Sequence, residues 1–160
     1  MKTILKPPVL LTGAALALFL LGAGVSAQAP APRLSLQYLP AAVSADSLIL
    51  KVAVALPPGW HLNSATPLDS FLVPTRLEAS GTGLAFGKPR FPEPVLEYSQ
   101  VMGGNVSLYT GDFEVSVPVR KQSRNPKTYS LASTQVTLRY QACNNSMCLP
   151  PKTVTATMGE

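Results

Sequence analysis

The sequence is poor in the residues that build most catalytic and metal sites. It has two cysteines, one histidine and one tryptophan among 160 residues, and only 13% of its residues are charged. A zinc site normally needs three or four Cys, His or acidic ligands close together, and two cysteines with the distant His61 are weak support for one. No phosphate-binding loop, dinucleotide fingerprint or G-x-S-x-G nucleophile elbow occurs. The sequence therefore predicts no metal site and no cofactor.

His61 and the basic residues give little sign of chemistry. His61 follows Trp60 at a turn-to-strand boundary, where a lone histidine usually has a structural hydrogen-bonding role. The net charge of +5 comes from scattered residues. The densest basic group lies in a polar loop without interleaved aromatic residues, so we expect a solvated loop and no nucleic-acid partner. This group comprises Arg120, Lys121, Arg124 and Lys127.

Long apolar runs are absent except at the N-terminus. Lys2 and Lys6 precede an almost wholly apolar segment, which ends in small residues that suit a signal-peptidase site. We predict a cleaved signal peptide over residues 1–27, a Pro/Ala linker over 28–33 and one folded domain over 34–160. An uncleaved N-terminal membrane anchor is the alternative. Export places the domain in an oxidising compartment, where two cysteines can form a disulfide.

The folded part shows strand patterns and no convincing helical period. Apolar residues alternate over Ser47 to Leu56 and again over Thr134 to Tyr140, which predicts strands with one buried face. Short candidate strands separated by turn signals at roughly 8–12-residue spacing predict an all-β fold, an antiparallel β-sandwich. Residues 87–104 contain closely spaced prolines that cannot donate to a strand ladder, and they predict a long irregular loop.

Both cysteines lie in one short segment after the strand that ends at Tyr140. If strand alternation continues, Cys143 shares a polar, accessible face with Thr137 and Arg139. Asn144-Asn145-Ser146 is a good turn sequence, and a tight reversal there brings Cys148 opposite Cys143 at a disulfide-compatible distance.

The simplest interpretation of this pair is a structural staple. Closing so short a loop contributes only about 2 kcal/mol, against nearly 5 kcal/mol for a 100-residue loop, so a staple here stabilises little. A binding module with a structural disulfide nevertheless remains an alternative. A third is a Cu(I)-handling protein that uses the soft ligands Cys143, Met147 and Cys148.

The sequence around the cysteines resembles the N-terminal periplasmic domain of DsbD, the transmembrane thiol–disulfide interchange protein. The carrying motifs are Y-Q-A-C at the end of Val136–Cys143 and C-L-P-P at the start of Cys148–Thr153. Pro58–Asn63, Phe91–Pro94 and Tyr109 also fit the family pattern. The resemblance covers nearly the whole of the predicted folded domain.

The resemblance implies an immunoglobulin-like fold and a redox-active pair, Cys143 and Cys148, with Cys148 as the attacking thiol. It implies a cap over the cysteines, which we match to Glu97 and Tyr98. A neighbouring Arg139 would favour a thiolate at Cys143 instead.

The resemblance also implies a function and its partners. The domain would act in the periplasm as a monomeric component of a protein-disulfide reductase. Electrons would come from a membrane-embedded thiol reductant of the DsbD type and pass to thioredoxin-like partners, including proteins of cytochrome c biogenesis. Since the sequence ends at Glu160, we expect that reductant to be a separate protein.

Overall fold

The computed structural model describes residues 31–42 and 44–159, and every regular element in these ranges is a β-strand. The all-β prediction is therefore confirmed. The predicted signal peptide lies outside the described residues, and none of those described forms a helix that could span a membrane. The strands are β1 (Arg33–Pro40), β2 (Ser47–Ala55), β3 (His61–Asn63), β4 (Arg76–Ser80), β5 (Leu84–Phe86), β6 (Val95–Ser99), β7 (Gly104–Thr110), β8 (Phe113–Lys121), β9 (Gln135–Tyr140), β10 (Ala142–Cys143) and β11 (Lys152–Thr157).

The described strands form three antiparallel sheets that pack as an immunoglobulin-like sandwich, as predicted. Their orders are β1-β2-β8-β5, β11-β9-β4 and β10-β3-β7-β6. The main core lies where β2 and β8 of the first sheet face β9 of the second. The third sheet carries the cysteines, so it is the sheet that positions the candidate site.

Alternation explains why the central strands form where they do. Leu50, Val52 and Val54 of β2 are 0%, 0% and 1% exposed, while Ala53 between them is exposed. β9 shows the same alternation through Val136, Leu138 and Tyr140, and β8 contributes Val115, Val117 and Val119. Branched side chains on a half-buried pleated surface favour strands, and these three strands together supply most of the core.

The expectation of an irregular loop over residues 87–104 is wrong in its second half. Val95–Ser99 forms β6, which pairs with β7 from Val95↔Leu108 to Ser99↔Gly104. The four residues from 95 to 98 are all exposed, because β6 is an edge strand held by its ladder and not by burial. An element that buries neither face leaves no alternation in its sequence to detect.

Buried polar contacts fix the end of β3 next to the candidate site. The Thr75 hydroxyl donates to the Asn63 carbonyl at 2.6 Å, and the Ser107 hydroxyl donates to that of Ser64 at 2.8 Å. All four residues are at most 2% exposed. Because these hydrogen bonds satisfy buried polar groups, they fix the position of the segment that carries His61 and Asn63.

Candidate functional site

The chain changes sheets at Gln141, immediately before the first cysteine. β9 ends at Tyr140, and β10 then pairs with β3, so that Ala142 lies opposite Leu62 and Cys143 opposite His61. Ala142 and Cys143 are only 4% and 3% exposed. The prediction that Cys143 lies on the accessible face is therefore wrong, because the interruption at Gln141 breaks the alternation on which it rested.

The two cysteines form a disulfide across a tight reversal of the chain. The Asn144 side-chain oxygen accepts from the N–H groups of Ser146 and Met147, each at 2.9 Å. The Asn144 N–H donates to the Met147 carbonyl at 2.9 Å, and Cys143 and Cys148 pair as bridge partners. The predicted reversal is confirmed, and its geometry comes from an Asx-type turn.

The two cysteines differ in accessibility. Cys143 is buried in the third sheet, whereas Cys148 is exposed at the end of an exposed tip, residues 145–148. A partner approaching this tip meets Cys148 first. Because thiol–disulfide exchange needs access to the attacked sulfur, the arrangement favours one cysteine for contact with a partner and the other for internal exchange.

Gln141 connects the base of this hairpin to its surroundings. Its side-chain oxygen accepts from the Asn63 amide at 3.1 Å and from the Val73 N–H at 3.4 Å. Its amide nitrogen donates to the Leu149 carbonyl at 3.1 Å. One side chain thus holds β3, a neighbouring loop and the segment after Cys148 together. The sequence showed Gln141 within a motif but gave no sign of this role.

A small cavity lies directly against the disulfide. It has a volume of about 30 Å³, and its lining includes both cysteines, Met102, Met147 and His61. Met102 belongs to the β6–β7 turn, residues 100–103, which closes with the Gly103 N–H donating to the Ser99 carbonyl at 2.8 Å. We call this space the inner cavity.

The predicted cap residues lie beside the inner cavity and do not line it. Glu97 and Tyr98 belong to β6, and they line a larger adjoining cleft of about 290 Å³ together with His61 and Asn144. We call this space the outer cleft. The β6–β7 turn contributes Val101 and Met102 to the inner cavity, so the turn after the predicted cap is the part that lies against the disulfide.

Arg139 does not share the site with the cysteines. It lies on β9, opposite Thr153 on one side and Arg76 on the other, in a different sheet from Cys143. It lines neither the inner cavity nor the outer cleft. The expectation that Arg139 favours a thiolate at Cys143 is therefore wrong, for the same reason as the predicted exposure of Cys143.

A family model described as "Thiol:disulfide interchange protein DsbD, N-terminal" matches residues 34–160. The chain belongs to this family. The resemblance found in the sequence is confirmed, and the Cys143–Cys148 disulfide is that of a DsbD-type thiol–disulfide interchange domain.

No curated protein matches this chain. Among solved structures, it is similar to the N-terminal periplasmic domain of ScsB from Proteus mirabilis, with 14% identity and a TM-score of 0.46. That similarity covers 76% of this chain and 49% of the other, so this chain spans about half the length of that structure.

His61 lies between the disulfide and the acidic side chain of Glu97. It is half-buried, it lies opposite Cys143 across the β3–β10 pair, and it lines both the inner cavity and the outer cleft. Burial lowers the pKa of His61, and the nearby charge of Glu97 partly offsets this by raising it. The folded state therefore disfavours the protonated form of the His61 ring.

The lowered pKa of His61 predicts a stability change with pH. The folded state disfavours the protonated ring, so this stability is fully present above about pH 6.5, the unfolded value, and is lost as pH falls below it. We expect the free energy of unfolding, from urea titrations, to decrease between pH 7.5 and 5.5. His61 is the only histidine, so the His61→Gln variant should show a flatter profile over this range. An equally steep profile in the variant would contradict this assignment.

Proposed function

We propose that this domain is a periplasmic carrier of reducing equivalents that works through Cys143 and Cys148. It receives electrons from a membrane-embedded thiol reductant of the DsbD type and passes them to thioredoxin-like partners, as a component of a protein-disulfide reductase system. The observation that carries the proposal is the disulfide at an exposed hairpin tip, with Cys148 accessible and Cys143 buried behind it.

The electron transfer follows from the positions of the two sulfurs. In the reduced domain, the Cys148 thiolate attacks a partner disulfide, forms a mixed disulfide and releases one partner sulfur as a thiolate. Cys143 then gives up its proton and attacks the Cys148 sulfur, which releases the second partner sulfur. The domain is left oxidised, and the partner has gained two electrons and two protons.

His61 is suited to assist the second of these steps. It is the cross-strand neighbour of Cys143, and burial lowers its pKa and so favours the neutral ring. A neutral imidazole is a proton acceptor, and proton removal makes Cys143 the nucleophilic thiolate. We therefore assign His61 the role of receiving the Cys143 proton, with Glu97 stabilising the resulting imidazolium across the outer cleft.

Exposed apolar side chains lie near Cys148, as expected for a surface that binds a protein partner. The exposed fraction is 65% for Tyr98, 58% for Val101 and 54% for Met147. Leu96, two residues before Tyr98 in β6, is 63% exposed. Val101 and Met147 line the inner cavity together with the cysteines. Apolar patches with few charges are typical of protein interaction surfaces, so a thioredoxin-like partner can bury this patch when it reaches Cys148.

The competing interpretation is that the disulfide has only a structural role. The hairpin that it would stabilise is already closed by backbone hydrogen bonds, with the Leu149 N–H donating to the Ala142 carbonyl at 2.9 Å and Asn144 bonding to Met147. A covalent link between residues that are already paired adds only the about 2 kcal/mol expected for a short loop. The disulfide thus contributes little to folding, which favours a role in exchange.

The proposal predicts that the Cys143→Ser/Cys148→Ser double variant folds normally and transfers no electrons. We expect its free energy of unfolding to fall by only about 2 kcal/mol. The reduced wild-type domain should reduce the disulfide of a thioredoxin-like protein. Thiol alkylation and mass spectrometry measure this reaction. A wild-type reduction potential well below about −300 mV, the range of inert structural disulfides, together with no exchange, would instead support the binding module.

A further inference from the structure

Four sulfur-containing residues line the inner cavity. Met102 comes from the β6–β7 turn, and Met147 comes from the hairpin tip between Cys143 and Cys148. All four side chains line the same cavity of about 30 Å³, together with His61. The two methionines are 45 positions apart in the sequence, so the fold creates this cluster and no local motif encodes it.

The size and chemistry of the inner cavity restrict what it can hold. A volume of about 30 Å³ has room for a single small ion, since about 10–15 Å³ already admits one water molecule. No Asp, Glu, Lys or Arg lines it. Hard cations such as Mg²⁺ and Ca²⁺ need carboxylate or carbonyl oxygens, whereas thiolates and thioethers select Cu(I).

Met102 is held at this position by its surroundings. Its N–H donates to the Ser99 hydroxyl at 3.3 Å, and its side chain packs against the small cluster of Leu72, Val106 and Leu108. Met147 is instead 54% exposed. Met102 is thus packed against one wall of the cavity, whereas Met147 is accessible to solvent.

Oxidation state controls whether this cluster can bind a metal. With the disulfide closed, no group of three or more His, Cys, Asp or Glu side chains among the described residues could hold a metal ion. Adding two electrons and two protons opens the disulfide to two thiols. We propose that the reduced domain binds one Cu(I) ion through Cys143, Cys148, Met102 and Met147, with release of the two thiol protons.

This inference goes beyond disulfide exchange and needs only that the disulfide can be opened. A phosphine does so chemically: it takes up an oxygen from water and becomes a phosphine oxide while the disulfide becomes two thiols. After anaerobic removal of the phosphine, we expect the domain to take one equivalent of Cu(I) from a chromogenic chelator. The oxidised domain should take none.

Conservative Met-to-Leu variants distinguish the contribution of the thioethers to Cu(I) binding from that of the thiols. We expect Met102→Leu/Met147→Leu to weaken Cu(I) binding by at least about tenfold, since even groups that only support a metal's ligands typically change affinity 10–100-fold. Met-to-Leu changes conserve volume and are tolerated in packed sites. Met158→Leu is the matched control, because Met158 packs against the main core and not in the inner cavity.

Three results would overturn the proposal of a Cu(I) site. Absence of Cu(I) uptake by the reduced wild type overturns the proposal. So does an unchanged affinity in the double methionine variant, which would mean that the two thiols act alone, or a preference for Zn²⁺ over Cu(I). Exchange with a thioredoxin-like protein is measured separately in metal-free buffer, so failure of Cu(I) binding leaves the proposed exchange function standing, and the reverse holds too.

Discussion

Replacing Cys143 by serine should trap thioredoxin-like partners as stable mixed disulfides, whereas replacing Cys148 should not. Cys148 is exposed at the hairpin tip, and Cys143 is 3% exposed within the third sheet. In Cys143→Ser the accessible thiol can still attack a partner, but no second thiol remains to release it. In Cys148→Ser the remaining thiol is buried, and we expect the yield of mixed disulfide to fall by at least about tenfold because exchange requires access.

The measurement is straightforward with a thioredoxin-like protein in its disulfide form. Each reduced single-cysteine variant is incubated with it, the remaining thiols are alkylated, and mixed disulfides are counted on non-reducing gels and by mass spectrometry. The double serine variant is the control for non-specific cross-linking. Equal trapping by the two variants, or greater trapping by Cys148→Ser, would contradict the assignment of Cys148 as the attacking residue.

The second large effect is expected at Gln141. Gln141→Leu leaves the Leu149 carbonyl without its 3.1 Å partner, and it removes the 3.1 Å bond from the Asn63 amide and the weaker 3.4 Å bond from the Val73 N–H. The Asn63 amide keeps its other bond, to the Val73 carbonyl at 3.1 Å. Since a typical hydrogen bond contributes about 0.5–1.5 kcal/mol net, we expect the loss of these three bonds to lower the free energy of unfolding by about 2–4 kcal/mol. Urea or thermal unfolding of the oxidised proteins gives this difference.

Gln135→Leu is the matched control for this substitution. Gln135 is an exposed residue at the start of the preceding strand, β9, so the same chemical change should alter stability by no more than about 0.5 kcal/mol. If Gln141→Leu is no more destabilising than Gln135→Leu, then Gln141 does not hold the hairpin base.

The parts of the fold that could be predicted from sequence are those that bury one face of a strand. β2 and β9 were predicted because Leu50 and Val52 in one, and Val136 and Leu138 in the other, alternate with polar or small residues. The reversal at Asn144-Asn145-Ser146 is also predictable, since the Asn144 side chain forms its hydrogen bonds within three residues.

The remaining features depend on contacts between segments far apart in the chain. β6 buries neither face, so its sequence shows no period. The burial of Cys143 depends on the change of sheets at Gln141, which alternation along a single strand does not reveal. The meeting of Met102 and Met147 depends on how the β6–β7 turn lies against the hairpin, and no spacing in the sequence encodes it.

The backbone hydrogen bonds that already close the cysteine hairpin have a consequence for the direction of electron flow. The bonds from Leu149 to Ala142 and from Asn144 to Met147 do not involve sulfur, so we expect the backbone to keep its shape when the disulfide opens. The reduced and the oxidised domain would then present nearly the same surface to a partner. Mass action, set by the reduction potentials and concentrations of donor and acceptor, would decide which way electrons move.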